Sequence, residues 1–134
     1  MFVQHSKKDL PKNARADLQL LIFHQYYITI IKPNVAVSTK EAYANIIPHK
    51  PKICCRDIIK QPIETWRDLL VNDFEESVFK LHPEVENIKN KLYEQGAIYA
   101  AMSGSGSSLF AIFKAEPQHL ENCFTDCFTF SAQL

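Results

Sequence analysis

The residues best suited to hold a ligand are Ser103, Gly104, Ser105, Gly106, Ser107 and Ser108, six small residues between two apolar runs. Two of the three glycines in the chain stand here, separated by one residue. Glycine reaches positive φ freely and lets a ligand approach the main chain closely. Serine hydroxyls and successive backbone N–H groups can form a concavity that holds an anion. The chemistry open to such a turn is therefore phosphate contact. The same residues also suit a plain turn between two paired strands. Three better-known patterns do not fit. No Lys follows Gly106, as a G-x-x-x-x-G-K-[ST] loop needs, and Leu109 stands where G-x-G-x-x-G needs its third glycine. Ser105 lies directly between its glycines, so G-x-S-x-G spacing also fails.

A second group lies at Ser38, Thr39, Glu41 and Tyr43. Ser38 with Glu41 three residues later is a capping-box pattern and predicts a helix from Thr39 to about Ile47, before Pro48. Thr39 and Tyr43 then stand four apart on one face of it, a spacing that also suits a first-turn hydroxyl and a packed aromatic. Asp73, Glu75 and Glu76 form a third group, which reads as a charged first helical turn and a solvent face. The five histidines are scattered singly and read as surface or capping groups.

The elements that must carry these residues follow from the pattern around them. Residues 26–32 are β-branched and aromatic throughout, a strand whose ladder Pro33 ends. Residues 56–60 look helical and 61–65 a break. Trp66, Leu69, Leu70 and Phe74 recur at helical spacing, as do Phe74, Val78, Phe79 and Leu81. A helix over 83–95 has Pro83 at its first position, a stripe of Val85, Ile88 and Leu92, and Gly96 as its cap. It leads into the first strand of the Ser/Gly hairpin. A short helix after Pro117 and a last strand within 124–134 complete the reading, while 1–24 has no clean period.

At 134 residues the chain is expected to form one domain with a core of its own. Fifteen basic and fifteen acidic residues leave no positive excess. That argues against a nucleic-acid partner and a polybasic membrane anchor. The N-terminus has no apolar signal region and no run approaches the ~20 residues of a membrane span. The four cysteines have neither C-x-x-C spacing nor a secretory context, so reduced thiols, no metal site and a cytoplasmic location are expected.

Gly96, Ala97, Ala100, Met102 to Gly106, Phe110, Ala111 and Phe113 together resemble the third signature motif of the GHMP kinases, a superfamily of small-molecule kinases. Lys32, Pro33, Val37, Ser38, Thr39, Ala42 and Tyr43 are similar to the K-P-x-x-x-V-S-T-x-x-A-[YF] segment of one branch of it. That branch phosphorylates the 2-hydroxyl of a cytidine diphosphate-linked alcohol on the methylerythritol phosphate route to isoprenoids. Asn72, Asp73, Phe74 and Glu75 resemble its N-D-[LF]-E segment.

The resemblance runs over 26–113 and more loosely to the end, which implies the C-terminal, substrate-side domain of such a kinase. The implied fold is α+β and ferredoxin-like, an antiparallel sheet with helices packed on one face. Residues 26–134 would form it, with 1–25 a loosely organised lead-in that lacks the family's G-x-G-like turn. By resemblance, Thr39 and Tyr43 would hold the cytidine. Gly104, Ser105, Gly106 and Ser107 would line the phosphate and alcohol side. Nothing in the chain matches the family's ATP loop or its Lys/Asp catalytic pair. No catalytic residue is therefore assigned here. The ATP and Mg used by the full-length family have no expected site in this chain, and the chain alone is expected to be inactive. Two other readings stand beside this one. One is a non-catalytic ferredoxin-like interaction domain that self-associates through the surface facing the missing half. The other is a GHMP kinase for a different small alcohol.

Overall fold

The structure, a computed structural model, describes residues 25–44, 46 and 50–134. Most of the lead-in segment 1–25 lies outside them. Four strands form one antiparallel sheet in the order β2-β3-β1-β4. They are β1 (Tyr27–Pro33), β2 (Tyr99–Met102), β3 (Leu109–Phe113) and β4 (Cys127–Gln133). The helices are α1 (Thr39–Tyr43), α2 (Cys55–Ile58), α3 (Trp66–Leu69), α4 (Phe74–Leu81), α5 (Pro83–Glu94) and α6 (Leu120–Cys123), with a 3-10 turn at Ile63–Thr65. The β-branched run predicts β1 well, and it is the inner strand that pairs with both β3 and β4. Pro33 remains in the strand, opposite Cys127 at the end of that ladder.

The period-2 alternation of the strands sends two sets of side chains to two faces. Ile31, Ala100, Met102, Leu109, Ala111 and Phe113 join Val78 of α4 and Val85, Ile88 and Leu92 of α5 in the main core. This is the helical layer that the sequence predicts, with the Val85/Ile88/Leu92 stripe fully engaged. Tyr99, Ala101 and Ile112 point the other way and meet Ile58, Ile63 and Trp66. The short elements between 55 and 69 thus add a smaller cluster on the β2–β3 half of the second face. On the β1–β4 side, Ile30, Phe128 and Phe130 remain exposed.

Three boundaries differ from the sequence reading, each for a local reason. The predicted helix 39–47 closes at Tyr43, where the bonds tighten to Ala44 N–H on Glu41 C=O and Ile46 N–H on Tyr43 C=O. Residues 45 and 47–49 lie outside those described. The run from Trp66 to Leu81 is split: α3 closes at Leu69, where Leu70 leaves the helical conformation, and Asn72 accepts from Phe74 N–H at 3.0 Å just ahead of α4. The helix expected after Pro117 begins only at Leu120, since His119 takes a left-handed φ of 57°. The α5 cap is as expected. Gly96 has φ 101°, with Gly96 N–H on Tyr93 C=O and Ala97 N–H on Leu92 C=O, the paired bonds of a Schellman motif.

The capping box of α1 forms in both directions. Ser38 Oγ accepts from Glu41 N–H, and Glu41 Oε2 accepts from Ser38 N–H, each at 3.1 Å. Replacing Ser38 with Ala is expected to cost about 1 kcal/mol in urea unfolding. The Ser38 backbone N–H, with help from His82, holds the Glu41 carboxyl below its ordinary range. A carboxyl lowered on folding stabilises above its unfolded pKa and loses that contribution as pH falls through its folded value. Acid titration of the amide signals of α1 is therefore expected to loosen the cap only below the ordinary glutamate range. Glu41→Gln should remove that dependence.

Candidate functional site

The Ser/Gly turn joins β2 to β3, and its conformation is set from inside and outside. Ser103 N–H donates to Ser108 C=O at 2.8 Å and Gly106 N–H to Ser103 C=O at 3.1 Å. Gly104 has φ 57° and Gly106 φ 93°, so both glycines occupy conformations that side-chain-bearing residues rarely adopt. A Cβ on Gly106 would stand 2.8 Å from Met102 Sδ. Gly104 is exposed and Ser105 half-buried. Among the described residues none accepts from the N–H of either, which leaves these two donors at the mouth of the turn.

Three segments meet at this turn. Asn72, just before α4, donates Nδ2–H to Met102 C=O at 2.7 Å and to Gly104 C=O at 2.8 Å. Ser107 is buried, and its hydroxyl donates to Val35 C=O, in the segment that leads from β1 to α1. Glu75 accepts from Met102 N–H at 2.8 Å and from Lys89 Nζ at 2.6 Å. On the neighbouring edge of β2, the Tyr93 hydroxyl accepts from Ala100 N–H at 3.1 Å and lies 3.2 Å from Ala100 C=O. The outward backbone groups of Ala100 and Met102 are thus all met by side chains of α4, α5 and the residue before α4. That protects an edge strand that would otherwise invite pairing.

The predicted base-holding residues lie on α1, which packs on α4. Ser77 Oγ donates to Glu41 C=O at 3.1 Å. Tyr43 meets Phe74 edge to face, with ring centroids 4.8 Å apart and an 81° interplanar angle. Tyr43 stays 58% exposed, so ring surface is left for a planar partner, and Thr39 is exposed at the first turn. A continuous path of contacts therefore links Tyr43 to Phe74, Phe74 to Asn72 and Asn72 to Gly104. Ser107 differs from Gly104 and Ser105, because its hydroxyl is spent on holding the turn to Val35.

Sequence reasoning missed the anchors. Glu75 reads as a solvent-face acid, yet it is 6% exposed and bound to the main chain of β2. Its bond to Met102 joins residues 27 apart, which helical periodicity cannot reveal. The available signal was the N-D-F-E segment, which singles out both Asn72 and Glu75. Nearby, Tyr99 donates its hydroxyl to Leu70 C=O at 2.7 Å, and burial pushes its pKa upward. No group of three or more His, Cys, Asp or Glu able to hold a metal ion is found among the described residues. No described helix is long and apolar enough to cross a membrane.

Comparison with known proteins gives the family of this fold. The chain is 49% identical over 116 residues to a Parabacteroides distasonis protein named 4-diphosphocytidyl-2-C-methyl-D-erythritol kinase, covering 85% of this chain and 42% of the relative. It is 50% identical over 110 residues to the protein of the same name from Bacteroides thetaiotaomicron, covering 81% and 40%. The chain thus spans about two fifths of the length of these curated relatives. A crystal structure of 4-(cytidine 5'-diphospho)-2C-methyl-D-erythritol kinase matches the fold with a TM-score of 0.61 at 20% identity, over 78% of this chain and 41% of that one. The family model described as GHMP kinases C terminal matches residues 56–128. That span is more than half of the chain and holds α4, α5, the Ser/Gly turn and its anchors, so the chain belongs to the GHMP kinase C-terminal domain family.

Proposed function

We propose that this domain forms the acceptor side of a small-molecule kinase that phosphorylates the 2-hydroxyl of a cytidine diphosphate-linked methylerythritol, in cytoplasmic isoprenoid synthesis. The observation that carries the reading is the path from Tyr43 through Phe74 and Asn72 to Gly104. It joins an open aromatic ring to a turn with two N–H donors that meet no acceptor among the described residues, which matches a ligand with a base at one end and phosphates at the other. The names of the curated relatives support the same substrate class.

In this reading Tyr43 stacks on the cytosine and Thr39 lies beside it. Gly104, Ser105 and Gly106 face the phosphate and alcohol side, with Ser107 fixing their turn to Val35. Phosphoryl transfer depends mostly on positioning and charge stabilisation. The contribution of this chain is then to fix the acceptor before ATP delivers its phosphoryl group. Among the described residues no cluster of three or more His, Cys, Asp or Glu side chains offers Mg a site. ATP and the catalytic Lys and Asp belong to segments that this chain does not match, and the chain alone is expected to show no turnover.

The test is calorimetric titration with cytidine 5'-diphosphate. Base stacking on an aromatic side chain is worth about 1–3 kcal/mol, so Tyr43→Ala should weaken binding about fivefold or more. Tyr43→Phe should stay within about twofold, because stacking needs the ring and not the hydroxyl. Equal affinity of Tyr43→Ala and the parent would remove Tyr43 from the site.

The interaction-domain reading is less well supported. Phe128 and Phe130 are 64% and 51% exposed and Ile30 38%.

A further inference from the structure

We infer that Asn72 is the positioning residue of the phosphate-side turn, and that it acts on the phosphate end of the ligand without setting the base end. This rests on the acceptor-side reading above and assigns a role to a residue that makes no contact with ligand in it. The Asn72 carboxamide is used at both ends. Oδ1 accepts from Phe74 N–H at 3.0 Å, while Nδ2 donates to Met102 C=O at 2.7 Å and Gly104 C=O at 2.8 Å. The first bond fixes which way the amide points, since the neighbouring groups are one donor and two acceptors. Holding the Gly104 carbonyl inward sets the peptide plane that follows it. The N–H of Ser105 belongs to that plane and therefore points away from Asn72.

The base end has separate support. α1 is bound to α4 by Ser77 Oγ on Glu41 C=O, and α4 is seated by Val78, which is fully buried, and by the Glu75 bonds to Met102 and Lys89. Asn72 reaches this end only through Oδ1 on the Phe74 N–H, while its two Nδ2 donations serve the turn alone. Loss of those two donations should consequently free the turn, while α4, seated by Val78 and Glu75, keeps Phe74 under Tyr43. An anion held by oriented N–H groups loses affinity when those groups are no longer fixed, because their ordering must then occur on binding.

The experiment uses the full chain and two probes, cytidine 5'-diphosphate and cytidine, titrated into the parent and into Asn72→Leu while backbone amide shifts are followed. Leu is neutral and close in size, and it removes all three hydrogen bonds. The expected result has three parts. In the ligand-free variant the Ser105 amide shifts and exchanges faster, while the Tyr43 amide does not. The affinity for the diphosphate falls at least tenfold. The affinity for cytidine stays within twofold. Asn72→Asp is measured beside it, and in its place if Asn72→Leu fails to fold: it keeps the shape and the Phe74 bond, removes both donations and is read in the same way for the free turn and for cytidine, which separates loss of the donations from loss of the Phe74 bond. The inference is overturned if the variant leaves the free turn unchanged, if diphosphate affinity is unchanged, or if both affinities fall together as general loosening would make them. It is also overturned if the parent binds neither probe, and in that case the silent parent shows that the acceptor-side reading has failed with it.

Discussion

Replacing Glu75 with alanine is expected to lower the unfolding free energy by about 3 kcal/mol, read from urea denaturation. Two things are lost together. The Met102 N–H, on the outer edge of β2, loses its acceptor at 2.8 Å, and the Lys89 ammonium loses its counter-ion at 2.6 Å. Met102 is 2% exposed, so its N–H has little access to water in compensation. The Lys89 side chain is 23% exposed and can turn outward, which keeps the cost toward the lower end for a broken buried pair. Glu75→Gln should recover more than half of the loss, since an amide oxygen still accepts from Met102 N–H. A change below about 0.5 kcal/mol for Glu75→Ala would place this carboxylate among ordinary surface groups.

Gly106→Ala is expected to cost about 2–4 kcal/mol and to abolish detectable binding of cytidine 5'-diphosphate. At φ 93° an L side chain is strained, and its Cβ would meet Met102 Sδ at 2.8 Å. Met102 is 2% exposed and packs in the main core, so its thioether must take another rotamer among buried neighbours to make room. Gly104→Ala provides the contrast. Gly104 has φ 57°, which Ala tolerates at a cost of about 1–2 kcal/mol, and among the described residues no atom lies within 4 Å of its Cβ position. Thermal unfolding of both variants should rank Gly106→Ala well below Gly104→Ala. The reverse order would mean that Met102 does not back the turn.

The features legible in the sequence are those with a local physical signature. The β-branched run of β1, the Val85/Ile88/Leu92 stripe, the Ser38–Glu41 box and the Gly96 cap each declare themselves within a few residues, and each forms as expected. The Ser/Gly turn is legible for the same reason, because two glycines at positive φ leave a compositional mark. The anchors of that turn are not legible by pattern. Glu75 sits where a first-turn acid facing solvent is ordinary, and only the tertiary approach of β2 turns it inward. The anchoring role of Ser107 appears only when the fold brings Val35, 72 residues earlier, against its hydroxyl. Asn72 breaks the apolar spacing between Trp66 and Leu81 through its own side chain, which periodicity cannot register. The pattern over 55–69 predicts helical and broken segments, but the face of the sheet they cover depends on the outward set Tyr99, Ala101 and Ile112.

The most direct test of the central claim is a titration of the purified chain with cytidine 5'-diphosphate and, separately, with ATP, following the backbone amides of Tyr43, Gly104, Ser105 and Gly106. The account predicts saturable shifts at Tyr43 and at the turn together with the cytidine diphosphate, and none at either place with ATP alone. Silence at both places up to millimolar cytidine diphosphate, or equal responses to the two nucleotides, would contradict it.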